Sequence, residues 1–188
     1  MPTPPTPAHS APSAPIAATA ARLSASQAPL KAHYREDPAS AQLVLKATGK
    51  IKQEFIACDV ETHLGTTRSG LHPATGGDGT MACSGDMLLQ ALIGCGGVTL
   101  AAVATAIGVS IRDSQLDAVG ELDFRGTLGV DKAAAVGFIA IKMTFALDTD
   151  ANDAQLETLK KLTDRYCVVY QTLAKGVPIS TMFVRLNG

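Results

Sequence analysis

From Met87 to Val109 the chain is almost unbroken apolar or small sequence. This stretch constrains the fold more than any other, because a helix that is apolar on every side must be covered on every side. Ser84 stands where a capping residue is expected, Asp86 favours the positive end of the helix dipole, and Gly108 provides a stop. The spacing predicts a helix from Ser84 to about Ile107, roughly 36 Å long at 1.5 Å per residue. Its length would also suffice for a bilayer. However, Gln90, Thr99, Thr105 and the glycines interrupt it, and no basic clusters or aromatic belts flank it, so a central buried helix is the better reading. Within it Cys95 has glycine on three sides, at Gly94, Gly96 and Gly97. Each costs about 1 kcal/mol relative to alanine inside a helix. Either those glycines open a path to the sulfur, or they serve a tight packing contact around an inert thiol.

The rest of the chain supplies cover for this helix. Residues 1–30 hold seven of the ten prolines and no acidic residue, and are expected to be a mostly disordered Pro/Ala-rich tail with at most a short helix near Ile16–Ser24. The globular domain is expected over 31–188. "AQLVLKATG" and "QEFIACDVETH" read as two strands turning near Gly49, followed by a glycine-rich irregular loop from Leu64 to Cys83. Two alternating strands follow, "QLDAVGELDFRGTL" and "FIAIKMTFALD", joined as a hairpin. Asn152 or Asp153 caps a helix carrying Leu156, Leu159, Leu162 and Tyr166 on one face. A further helical piece ends at Gly176, and "ISTMFVRL" reads as a closing strand. The expected class is α+β, with antiparallel sheets around long central helices.

A net charge of −1 and an aromatic content of 4% argue against nucleic acid or an anionic membrane as partner. No apolar leader follows the start, so a cytoplasmic, reducing environment is expected. There the four cysteines are more often reactive, metal-binding or buried than permanently paired. Cys58 falls on the inner face of a strand, and Cys83 lies just before the helix. Cys58, His63, His72 and Cys83 match no compact zinc spacing, and "ATGGDGT" lacks the lysine and hydroxyl of a phosphate loop, so no metal or bound cofactor is expected. Cys167 lies at a joint between two helical pieces. If a helix starts there, its N-terminus would lower the thiol pKa; if one helix runs through, that help is lost.

The segment "CSGDMLLQALIGCGGVTLAAVATAIG", the segment "YCVVYQTL" and the element order together resemble the OsmC/Ohr family, the osmotically inducible protein C and organic hydroperoxide resistance proteins. The likeness runs from about Lys31 to Gly188. It implies a thiol peroxidase reducing organic hydroperoxides, with Cys95 attacking and Cys167 resolving. It also implies an external dithiol reductant and an intertwined homodimer whose long helices pack together, and then the glycines would both admit a peroxide and allow that packing. Two departures stand out. Val168 follows Cys167 where the family often has proline, which weakens the case for a helix starting there. Gly85 stands where hydroperoxide-specific members carry glutamate, with Asp86 beside it. Asp86 lies about 13.5 Å along the axis from Cys95 and on the opposite face, so it could act only by orienting an arginine or across the dimer. Arg68, or failing that Arg35, is the candidate for the arginine that holds the thiolate in such members. The other reading consistent with the sequence is a non-enzymatic member binding a small apolar ligand in the dimer cleft.

Overall fold

A computed structural model describes residues 14–186 of the 188-residue chain. Its elements are α1 (Ala14–Glu36), β1 (Thr48–Lys52), β2 (Ala57–Thr62), β3 (Gly65–Gly70), β4 (Ala82–Cys83), α2 (Ser84–Ile107), β5 (Ile111–Glu121), α3 (Phe124–Thr127), β6 (Ala140–Thr149), α4 (Asp153–Tyr166) and α5 (Val168–Lys175). Strands β1 to β4 form one sheet in that order, with β3 and β4 parallel. Strands β5 and β6 form a separate antiparallel pair.

Helix α2 is the pivot. Cys83 occupies its N-cap position in place of Ser84, without a side-chain cap bond, and Gly108 ends it at φ 75, its N–H reaching the carbonyls of Ala104 and Thr105. The helix is long and apolar enough to cross a membrane by length and composition. Here one face instead builds a protein core. Leu100, Val103 and Ala104 are buried together with Val109 and Leu159, and Ile111, Phe145, Leu147 and Leu162 pack around them. Strict alternation along β6 supplies the opposing wall, with Ile141, Met143, Phe145 and Leu147 inward and Lys142, Thr144, Ala146 and Asp148 outward.

Several expectations need correction. Residues 14–30, expected to be mostly disordered, belong to helix α1; residues 1–13 lie outside the described residues. Alanine-rich sequence without glycine favours a helix. Ile16, Ala20, Leu23 and Gln27 are half-buried at helical spacing, α1 contacts α2, and Pro29 is accommodated inside. Gly49 is not a turn but a β1 residue facing Val60. The reversal comes at Gln53–Ile56, where Ile56 adopts the left-handed conformation at φ 48. Part of the expected loop is strand β3, which pairs with β2 through Thr66 and Thr67. The first long strand stops at Glu121, because Asp123 accepts the N–H of Arg125 and starts the helical turn α3.

The last correction is the largest. "ISTMFVRL" forms no strand, and neither does the segment before Lys46. Ile179, Met182, Phe183, Leu43 and Val44 are each more than 80% exposed. β-propensity makes a strand only where an edge offers hydrogen bonds and a face to cover. Among the described residues this chain brings no such edge to either segment.

Candidate active site

Cys95 sits midway along α2, at the edge of the face that meets α4 and α5. The sequence left open whether one helix runs through Cys167, and the departure at Val168 weighed against a new start. The structure breaks the helix all the same. α4 begins with a capping box between Asn152 and Gln155 and ends at Tyr166. Cys167 leaves the helical region at φ −73, ψ 110, and α5 starts immediately after it. A side-chain acceptor at an N-cap satisfies an orphan N–H of the first turn. Here the Cys167 sulfur does so, accepting from the Tyr170 N–H at 3.4 Å. Proline is therefore not needed for the restart.

The break turns the N-terminus of α5 toward Cys95. Burial works to raise the Cys95 thiol. The N–H groups of Val169 and Val168 and the thiol of Cys167 outweigh it and hold Cys95 below the ordinary thiol range. Thr99 adds little, since its hydroxyl proton goes to the carbonyl of Cys95 at 2.7 Å. Burial pushes the Cys167 thiol up, and its interaction with Cys95 adds to this against the Tyr170 N–H. The two sulfurs are thus unequal: Cys95 is part-exposed with its pKa shifted down, while Cys167 is 1% exposed with its pKa shifted up. Such a pair sets a thiol of lowered pKa beside one of raised pKa, within hydrogen-bond reach of each other.

This asymmetry has a direct test. A depressed pKa means that thiolate is present above it and lost as pH falls through it. Alkylation of Cys95 by iodoacetamide is expected to show its midpoint below that of a free cysteine in the same buffer, while buried Cys167 stays unlabelled across the same range. A Cys95 midpoint at or above the free-thiol value would contradict the arrangement.

The three glycines divide. A Cβ on Gly96 would lie 2.8 Å from Met143 Cε and 3.2 Å from Phe145 Cζ, and one on Gly97 would lie 3.1 Å from Leu116 Cδ2. Both serve the close approach of α2 to β5 and β6 rather than to another helix. A Cβ on Gly94 would meet nothing within 4 Å. Of the three, only Gly94 leaves open space beside the sulfur. Gly96→Val is accordingly expected to destabilise by about 1–3 kcal/mol through overpacking against Phe145, read as a lowered midpoint in chemical denaturation. An unchanged midpoint would show that the sheet yields freely.

The other candidates lie elsewhere. Arg68 on β3 is bound by Asp59 at 2.6 and 2.9 Å and lies over the Phe55 ring, where its guanidinium hydrogen-bonds Asp59 and keeps that carboxyl below the usual range. Asp86 stands in the first turn of α2, remote from Cys95. The main groups holding the Cys95 thiol down include no cationic side chain. The groups that do so, the N–H groups of Val168 and Val169, are backbone and carry no mark in the sequence beyond the break at Cys167. Cys58, His63, His72 and Cys83 do not gather: His72 Nδ1 accepts the Ala74 N–H and its ring stacks on Phe124, and no cluster of metal-ligating side chains occurs among the described residues.

The fold and the site together define a small α+β protein with an unequal thiol pair, one sulfur on a central helix and the other capping the helix that faces it. The model of the OsmC-like protein family matches residues 77–182, more than half of the chain, and the protein belongs to that family. Solved structures agree in fold. The OsmC-like protein from Mycoplasma pneumoniae aligns with a TM-score of 0.60 at 15% identity, over 72% of this chain and 90% of that one. An organic hydroperoxide resistance protein OsmC from Legionella pneumophila aligns at 0.51 and 15% identity, over 70% and 91%. An organic hydroperoxide resistance protein from Elizabethkingia anophelis, with thiocyanate bound, aligns at 0.52 and 12% identity, over 72% and 91%. At such identities the likeness is one of fold. No curated protein sequence matches the chain.

Proposed function

We propose that this protein is a cytoplasmic thiol-dependent hydroperoxide reductase. The observation that supports the reading is the meeting of the Cys95 sulfur with the N-terminus of α5 and the Cys167 thiol, which shifts the Cys95 pKa down. The Cys95 thiolate attacks the outer oxygen of ROOH. An S–O bond forms, the O–O bond breaks, and the alkoxide leaves, taking a proton to become ROH. Cys95 is now a sulfenic acid. The Cys167 sulfur attacks the Cys95 sulfur, the S–S bond forms, and hydroxide leaves with the Cys167 proton as water. An external dithiol then supplies two electrons and two protons to restore both thiols. The proton taken by the alkoxide comes from solvent; every other group besides the peroxide and the reductant belongs to this chain. The test is dithiol-dependent turnover of an organic hydroperoxide, compared with hydrogen peroxide. Wild type should turn over and Cys95→Ser should fall to background; equal rates would refute the reading. The competing reading, a non-enzymatic ligand binder, draws support from Gly85 and from the engagement of Arg68 by Asp59, and it predicts no turnover by either protein.

We also propose a homodimer as the working form. A folded monomer of 19.4 kDa exposes about 8,500 Å², whereas one chain exposes 14456 Å². Along α2, Leu88, Ala91, Gly94, Val98 and Ala101 form an exposed stripe at helical spacing beside Cys95. Val98 is 74% exposed in one chain. If the chain worked as a monomer, Val98→Glu would change stability by less than about 0.5 kcal/mol. In the dimer it buries an unpaired carboxylate, and light scattering should show loss of the dimer together with loss of folded protein. A well-folded wild-type monomer at micromolar concentration would sink the proposal.

A further inference from the structure

Apart from the thiol pair, a cavity of about 790 Å³ lies within one chain between β6, α4, α5 and the inward side of α2. Its volume falls in the range of small-molecule sites. Ile141, Phe145, Leu100, Leu159 and Leu173 give it apolar walls. It lies on a different side of α2 from the exposed stripe, since Leu92 and Leu100 reach it while Leu88, Ala91 and Val98 do not. Neither Cys95 nor Cys167 lines it. Tyr170 touches both regions, lining the cavity with its residue and holding the Cys167 sulfur with its N–H.

The polar groups of the cavity define what it takes. Thr163 is 4% exposed, and its hydroxyl, shut off from solvent, has no hydrogen-bond partner. Thr163 lines the cavity, so its unpartnered hydroxyl is the buried polar group that a ligand there could satisfy. Charge is confined to α4. Lys160 is already held by Asp164 at 2.8 Å, and Glu157 is exposed. An ionic head deep in the cavity, away from the exposed Glu157, would find no free counter-charge. We propose that this cavity is a binding site, separate from the thiols, for an uncharged, mainly aliphatic molecule with one hydroxyl or carbonyl group placed at Thr163.

The full-length protein is titrated with the neutral fluorophore N-phenyl-1-naphthylamine, which is then displaced by 1-dodecanol, dodecane, dodecyl sulfate or dodecyltrimethylammonium. One saturable site per chain is expected, with 1-dodecanol favoured about threefold to tenfold over dodecane, the range of one net hydrogen bond. Thr163→Val should erase that preference while the fluorophore still binds. Ala174→Trp and Leu156→Trp, each at an exposed rim position, should abolish binding while circular dichroism stays native. Cys95→Ser should bind like wild type, so the outcome is independent of the peroxidase reading. Absence of saturable binding, binding that survives both tryptophan variants, an alcohol preference that survives Thr163→Val, or tighter binding of either ionic amphiphile would overturn the assignment.

Discussion

With one equivalent of an organic hydroperoxide, the protein should acquire one reversible disulfide, between Cys95 and Cys167. The order of events follows from the inequality of the two sulfurs. Cys95 is part-exposed, has open space at Gly94, and has its thiol pKa shifted down. Cys167 is buried, has its thiol pKa shifted up, and is bound to the first turn of α5. Oxidation should therefore begin at Cys95 and be captured by Cys167 before the sulfenic acid reaches sulfinic acid. Their Cα atoms must come within about 7 Å for the bond to close without backbone movement. Cys167→Ser should accumulate sulfenic or sulfinic acid on Cys95, while Cys95→Ser should leave Cys167 a free thiol. Peptide mass mapping distinguishes these species. Oxidation confined to Cys58 or Cys83, or a Cys95 still reduced under excess peroxide, would end the peroxidase reading.

The second large effect is on stability. Leu159→Ala should destabilise by about 2–5 kcal/mol, the cost of removing a large aliphatic side chain from a core that cannot fully collapse. Leu159 is 2% exposed and sits where α4 meets Leu100, Val103 and Ala104 of α2. For a chain of this size that corresponds to a melting temperature lower by about 5–15 °C. The loss also bears on the site. α4 delivers Cys167 at its C-terminal end, and nothing else buried on α4 apart from Thr163 anchors it to α2. Labelling of Cys167 by iodoacetamide should therefore rise in Leu159→Ala before global unfolding. Destabilisation below about 1 kcal/mol would mean that α4 is held elsewhere.

How far the sequence reached depends on what each residue needs in order to act. The central helix from Ser84 to Ile107, the alternation of β6 and the capping of α4 by Asn152 were legible because they are set by neighbours within a few residues. Cys95 stood out for the same reason, through the cost of its flanking glycines. Strand β3 was missed because its ends are glycines and only its pairing with β2 makes it a strand. Of helix α1 only a short piece near Ile16–Ser24 was foreseen, because seven prolines coloured the whole of residues 1–30, while its own stretch carries just Pro15 in the first turn and Pro29 within it. The segments at Leu43–Leu45 and Ile179–Leu186 have strand composition but no edge to join within one chain.

The sequence by itself determined a long apolar helix with a sulfur at its centre, since hydrophobic period and glycine cost are local properties. Only the tertiary structure decided what that sulfur is. The break at Cys167, 72 residues away in sequence, brings two backbone N–H groups and a second thiol to it. Backbone donors have no residue identity to read, and a thiol pKa is set by whichever groups the fold places within hydrogen-bond reach.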